Sequence, residues 1–259
     1  MTNEIIVDDF SLFIESMKAA SKLVDAAKLM FSPNGLEIYG ARDIAARCEL
    51  MTNAVHSNDT FDFCVESIAM LNKILTTVKE VHEGDYSELE MTYSRPNLLF
   101  KSKKMRTKYS TCNESTIAKW VSKKIVTPMN AVFSFKTSSD IIKRMNGHSF
   151  MFTDFKSIKV YLETKDDMEA NAVFATLGNK NMDLGREMTL KFGLVTDGKI
   201  PEGRDLIIDI ERMNLLNCIQ SDDIVVSLMD KNVLLSKTSI HGKDGTYFNI
   251  NVYCTLLKG

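Results

Sequence analysis

The sequence predicts an α+β fold made of two similar modules, each built of antiparallel sheet with two helices on one face. Three observations predict it. The chain has 259 residues, about twice what a single compact core of roughly 130 residues needs. The order strand, helix, several strands, helix, closing strands occurs twice. Residues in the second half also match residues in the first at nearly constant offsets.

In the first half, residues 4–7 read as a strand, and Asp8 and Asp9 mark a helix start. Phe10, Phe13, Ile14 and Met17 then fall at helical spacing, predicting a helix over 9–22. From residue 25 the period becomes two, with Ala27, Leu29 and Phe31 alternating before the turn Ser32-Pro33-Asn34-Gly35 and the return strand with Leu36 and Ile38. Strands follow at 47–56 and 60–65. A second helix starts at Ser67, with Ile68, Leu71, Ile74, Leu75 and Val78 on one face. Strands at 87–94 and 98–111 close the half, joined by Arg95-Pro96-Asn97.

Residues 112–130 alternate weakly, hold Trp120 and end near Thr127-Pro128, so they read as a connector between modules 1–111 and 131–259. The second half then offers a strand at 131–136 and a helix at 138–147 with Ile141, Ile142 and Met145 inward. Strands follow near 151–155, 158–164, 171–177, 188–195 and 206–210. A helix at 211–219 precedes strands at 224–229, 233–238 and 247–257.

An offset of 145 lays Leu71-Asn72-Lys73-Ile74 on Leu216-Asn217-Cys218-Ile219, and Val65-Glu66 on Ile210-Glu211. An offset of 135 lays Leu89, Met91 and Tyr93 on Ile224, Val226 and Leu228, and Asn97-Leu98-Leu99-Phe100 on Asn232-Val233-Leu234-Leu235. An offset of 128 lays Phe13, Ile14 and Met17 on Ile141, Ile142 and Met145. Any one match is cheap; three in order indicate a duplicated module. His82-Glu83-Gly84-Asp85 has no counterpart.

Composition narrows the function. With 44% apolar and 25% charged residues the chain reads as packed rather than disordered. No apolar run approaches the roughly 18 residues of a membrane span, and MTNEIIVDDF has acids where a signal peptide is basic, so a soluble, unexported protein without a membrane partner is expected. The net charge of −2 means that any nucleic-acid surface must arise by segregating charge. Five cysteines without CxxC spacing read as reduced thiols in an intracellular compartment, and four scattered histidines offer no metal ligand pattern. No GxGxxG, GxxxxGK[ST] or GxSxG motif occurs, and Asp166-Asp167 and Asp222-Asp223 fall in turns, where aspartate is ordinary. No catalytic residue, metal or cofactor is expected.

The opening Phe10-x-x-Phe13-Ile14-x-x-Met17-Lys18, the hairpin Leu29-x-Phe31-x-x-Asn34-Gly35-Leu36-x-Ile38 and the Asp43 after it resemble the first module of the DNA sliding clamps, the proliferating cell nuclear antigen family and its T4-type phage relatives. Lys73-Ile74-Leu75 and Thr127-Pro128 fit the same family. The resemblance spans about Ile5 to Leu257. It implies a head-to-tail homotrimer that encircles double-stranded DNA without reading sequence, is placed there by a clamp loader, and tethers a DNA polymerase at the site of replication, in host cytoplasm or nucleus according to host. It implies no chemistry of its own.

A clamp of this kind needs a basic lining from its helices. Helical wheels place Glu15, Lys18 and Lys22 opposite the apolar face of the first helix, and Lys73, Thr76, Thr77 and Glu80 opposite that of the second. The third offers Asp140, Lys143 and Arg144. The fourth offers Arg212, with Asn214 and Cys218 on its polar face where Cys218 replaces the Lys73 of the repeat. The expected DNA-facing set is therefore Lys18, Lys22, Lys73, Thr76, Lys143, Arg144 and Arg212; a merely solvated helix face is the competing reading for each.

The resemblance also implies a subunit interface in which Lys104, Arg106 and Lys108, on one face of the 98–111 strand, meet Asn171, Val173 and Ala175 of another copy. Protection of an edge strand is the competing reading. It implies a pocket for partner motifs walled by Ile44, Ala45, Trp120, Val121, Ile125, Val126 and Tyr253, although Trp120 could equally plug its own sheet. The loop Ala41-Arg42-Asp43-Ile44-Ala45 lacks the apolar and histidine residues of many cellular clamps, which favours a viral or divergent one. Two alternatives remain: a herpesvirus-type processivity factor acting as monomer or dimer, and a duplicated β-rich interaction protein that never meets DNA.

Overall fold

The computed structural model describes residues 2–43, 46–118, 129–149, 157–162, 172–178, 187–199, 206–230 and 233–256. The protein is α+β, with mostly antiparallel sheet and four helices among the described residues. None of these helices is long and apolar enough to cross a membrane.

The elements are β1 (Asn3–Val7), α1 (Phe10–Leu23), β2 (Ala27–Ser32), β3 (Gly35–Asp43), β4 (Ala46–Thr52), β5 (Val55–His56), β6 (Phe61–Val65), α2 (Ile68–His82), β7 (Glu90–Ser94), β8 (Asn97–Lys101) and β9 (Arg106–Ser110). After these come β10 (Ala131–Thr137), α3 (Ser139–Ser149), β11 (Ser157–Leu162), β12 (Ala172–Gly178), β13 (Glu187–Gly198), β14 (Leu206–Asp209), α4 (Ile210–Leu215), β15 (Ile224–Met229), β16 (Val233–His241) and β17 (Tyr247–Thr255). The chain divides into two compact units: Met1–Val126 with Ser239–Ile250, and Thr127–Thr238 with Asn251–Gly259. The tip of the β16–β17 hairpin therefore goes with the first unit, where Thr52 Oγ1 donates to the Tyr247 carbonyl (2.8 Å) and Asn53 Oδ1 accepts from the Tyr247 amide (2.6 Å).

Both units use the same strand connectivity. In the first, one ladder runs β6-β2-β3-β4 and a second runs β5-β1-β7-β8-β9. In the second, β14-β11-β12-β13 continues through β10-β15-β16. β4 and β5 are separated by Asn53-Ala54, whereas their counterpart β13 runs unbroken, pairing with β12 over its first part and with β10 over its last. Gly193 sits at that crossing. A Cβ there would lie 2.3 Å from the Lys136 carbonyl oxygen, so the close approach of the two backbones depends on the missing side chain.

The pairing refines the repeat by one residue in two places. Tyr93 faces Leu98 in the first unit and Leu228 faces Leu234 in the second, so the second strand of this hairpin is offset by 136 rather than 135. Its connecting turn is one residue longer. Asp9 caps α1 through the Leu12 amide (2.9 Å) and Ser138 caps α3 through the Ile141 amide (3.4 Å), a difference of 129 rather than 128.

In the first unit α1 packs against α2 and on β3 and β4. Met17, Leu29, Leu36, Ile38, Ile68, Leu75 and Phe100 are buried. Phe31, Phe61, Phe63 and Tyr93 form a stack with centroid separations of 4.6 Å (Phe63–Tyr93), 5.5 Å (Phe61–Tyr93) and 5.2 Å (Phe31–Phe61), joining the unit's two ladders. The second unit's core holds Phe133, Phe135, Ile142, Met145, Phe192, Leu228 and Leu234.

Several sequence expectations change. The strand expected over 98–111 is a hairpin, β8 and β9, whose turn holds Lys104. This residue therefore does not share a strand face with Arg106 and Lys108. Ala172–Gly178 forms the interior strand β12, hydrogen-bonded to β11 on one side and β13 on the other, so Val173 and Ala175 have no free edge to offer another copy. α4 ends at Leu215, four residues before the expected 219. Ile141 is half-buried rather than fully inward. The expected strand at 151–155 and Asn171 lie outside the described residues.

Candidate nucleic-acid interface

α1 is buried nearly all round because its apolar residues surround it: Phe10, Leu12, Phe13, Ile14, Met17, Ala19, Ala20 and Leu23, with Ser16 satisfied by the Phe13 carbonyl at 2.7 Å. What remains exposed is a single stripe, Ser11, Glu15, Lys18 and Lys22. Their spacing of four, three and four places them within about 60° of one another on a 100° wheel. α2 begins at Ser67, whose Oγ accepts from the Met70 amide (3.2 Å), and buries Ile68, Leu71, Leu75 and Val78. Its open face carries Met70, Lys73, Thr76, Thr77 and Glu80. Both threonine hydroxyls donate to carbonyls one turn back, Thr76 to Asn72 (2.9 Å) and Thr77 to Lys73 (3.1 Å).

In the second unit α3 and α4 are neighbours, joined by the Asn146 amide donating to Asn214 Oδ1 (2.5 Å). Lys143 and Arg144 are exposed on α3. Lys143 donates to Gln220 Oε1, and Gln220 Nε2 donates in turn to Asp140 Oδ1 (3.1 Å). The ammonium groups of Lys18 and Lys73 and the guanidinium of Arg144 meet no carboxylate within ion-pair distance among the described residues. Uncompensated cations on solvated helix faces suit phosphate oxygens, because binding releases counterions without breaking an internal pair.

Two members of the expected lining behave differently. Arg212 is half-buried and donates to the Thr255 carbonyl (2.7 Å) and Thr255 Oγ1 (2.9 Å), so it fastens α4 to the end of β17. Cys218 is not on a polar helix face at all: the helix has ended, and the residue is 4% exposed in the turn that follows. Without Arg212, the lining has Lys18, Lys22, Lys73, Lys143 and Arg144 against Glu15, Glu80 and Asp140, an excess of two positive charges per chain.

The other expected groups divide. Arg106 and Lys108 are exposed on β9, the edge strand of its ladder. Tyr253 is half-buried on β17. Ile44, Ala45, Trp120, Val121, Ile125 and Val126 lie outside the described residues.

What the sequence did not flag is the root of the connector. Cys112 pairs with Cys64 of β6 in an isolated antiparallel bridge, its amide donating to the Cys64 carbonyl at 2.9 Å. Lys28 lies between two carboxylates, paired with Asp62 and with Glu114 Oε2 (3.0 Å), and these hydrogen bonds raise its pKa far above the usual lysine range. Ile117 closes over Ala26 and Cys64. Arg95 donates to Asn113 Oδ1 (2.8 Å).

Burial pushes the Cys64 thiol up to about 11 and raises that of Cys112 as well. A thiol held protonated in the folded state stabilises the fold fully below its unfolded pKa and loses that contribution as pH rises through the folded value. Wild type should therefore lose about 1–2 kcal/mol more than Cys64→Ala between about pH 9 and 11, measured by urea unfolding at each pH. Equal losses would reject the shift.

A cleft of about 880 Å3 near the start of α1 is lined by Asp8, Asp9, Glu15 and Asp244 as well as Lys243 and His241. Its acidic bias is wrong for a phosphate backbone. The exposed cations of α1, α2 and α3 carry the opposite charge bias.

No family model and no curated protein matches this chain. The clamp resemblance thus stands on the residues and the repeat alone.

Proposed function

We propose that this chain is a DNA sliding clamp, a processivity factor whose three copies close head to tail around duplex DNA and hold a polymerase at the primer end. The observation that carries this reading is the duplication. Each unit has the same strand connectivity and a pair of neighbouring helices, with exposed basic residues on α1 and α2 in the first and on α3 in the second, so repetition around an axis multiplies one cationic surface. Duplex DNA presents a repeating phosphate surface that needs no base contacts, and a modest excess of two cations per chain is enough to be attractive without holding the ring at one place.

β9 supports assembly. Among the described residues it pairs only with β8, leaving an edge where strand addition by another copy satisfies its amides and carbonyls. Arg106 and Lys108 then sit at the margin of the joint and favour an acidic counterpart. Tethering raises the polymerase's effective concentration at the primer, because an enzyme that lets go of DNA remains attached to the ring.

Light scattering on the purified chain should give about three times its 29.2 kDa mass. A mass of one or two chains at micromolar concentration would reject the closed trimer and favour the herpesvirus-type reading.

A further inference from the structure

We propose that Cys64 and Cys112 form a reversible disulfide under oxidation, stapling the root of the connector to β6. The two residues are direct partners in an antiparallel bridge, so their side chains leave the same face. The amide-to-carbonyl bond between them marks a hydrogen-bonded pair, for which Cα atoms are about 5.5 Å apart, inside the roughly 4.4–6.8 Å that disulfides span. The Cβ atoms of such a pair must close by about 1–2 Å. Cys112 can make that move: it lies outside any strand, is half-buried, and is held to β6 by one backbone hydrogen bond. Cys112 packs against the cluster of Ala26, Cys64 and Ile117, so no polar side chain has to leave.

The chemistry takes two steps with hydrogen peroxide as oxidant. The more exposed Cys112 thiolate attacks one peroxide oxygen, the O–O bond breaks, and with one proton taken up the products are a sulfenic acid and water. The Cys64 sulfur then displaces the sulfenic oxygen as a second water, losing its proton and leaving the S–S bond. Two thiols are oxidised and one peroxide is reduced. Both thiols are protonated at neutral pH, so the reaction is slow there and accelerates with alkalinity.

The bond would close a loop around α2, β7, β8 and β9 and add a covalent tie to residues 112–118, which the Cys112–Cys64 backbone bond, the Arg95–Asn113 hydrogen bond, the Lys28–Glu114 pair and the Ile117 contact already hold. Bond formation is independent of the clamp reading; only an effect on partner docking at the connector rests on it.

The test is peroxide treatment of the reduced full-length chain, followed by denaturation, alkylation and peptide mapping. Free thiols should fall from five to three, with one cross-linked peptide pair joining Cys64 to Cys112 that dithiothreitol restores. Cys112→Ser should keep its remaining four through the same treatment, and the wild-type rate should rise about tenfold from pH 7 to 8. Five surviving thiols, a bridge to Cys48, Cys218 or Cys254, or a Cys112 that stops as sulfinic acid would each overturn the proposal.

Discussion

Reversing charge at Lys18, Lys22, Lys73 and Lys143 together should abolish loader-assisted stimulation of the polymerase on a primed template. All four are exposed, and the ammonium groups of Lys18 and Lys73 meet no carboxylate among the described residues, so little folding energy is at stake. Surface changes of this kind stay within about 0.5 kcal/mol each. Lys143→Glu is the exception to watch, since it meets Asp140 one turn away and loses Gln220. If each of the four meets one phosphate, the salt dependence of linear-duplex binding should flatten by about 4 in slope per chain. The control is a double reversal at Lys101 and Lys103 of the β8–β9 hairpin, which pair with Glu90 at the start of β7 and with Glu88 just before it. It changes net charge as much as a Lys18/Lys73 double reversal. If both doubles weaken DNA binding equally, net charge rather than the helix faces is responsible, and the lining is rejected.

The helix stripes could be read in advance because amphipathic helices carry their own coordinate: once Phe13, Met17, Leu71 and Leu75 point inward, the exposed residues follow from 100° steps. Strands carry no such guide to their neighbours. The run Ala172-Val173-Phe174-Ala175-Thr176-Leu177 is buried throughout, and a strand buried on both faces reads as a continuous apolar run. That pattern was a signal for a central strand, against an edge meeting another copy. The β8–β9 turn was hidden for a different reason. It uses no Gly or Pro; the Ser102 hydroxyl accepts from the Lys104 and Met105 amides (3.2 Å each), while the Ser102 amide donates to the Met105 carbonyl (2.9 Å). Lysines around such a turn look like a basic strand. Single-residue errors in the repeat offsets arose because apolar matches recur every second or third residue, so only paired partners and caps discriminate neighbouring registers. Cys64 and Cys112 were legible only as small hydrophobes, since their pairing depends on a bridge 48 positions apart in sequence.

Gly35→Ala should destabilise the first unit more than any surface change. The residue closes the β2–β3 hairpin, pairing with Ser32 across Pro33 and Asn34, and its φ of +128° is a conformation in which an L side chain is strained. Space makes the problem worse. A Cβ built there lies 2.2 Å from the Thr52 carbonyl oxygen and 3.2 Å from the Asn53 Cα, and both are backbone atoms that no rotamer change can move. Thr52 is itself fixed, with its hydroxyl donating to the Tyr247 carbonyl and accepting from the Ala54 amide (3.1 Å). The strain of the dihedral costs about 1–3 kcal/mol and the displaced backbone a further 1–3 kcal/mol. A loss of about 3–5 kcal/mol is therefore expected, read as a fall in the urea midpoint of the transition that reports on the first unit. Asn34→Ala, in the same turn without the close approach, should cost less than about 1 kcal/mol. Equal losses for the two variants would mean that turn chemistry, and not the contact between β3 and the end of β4, sets the requirement for glycine.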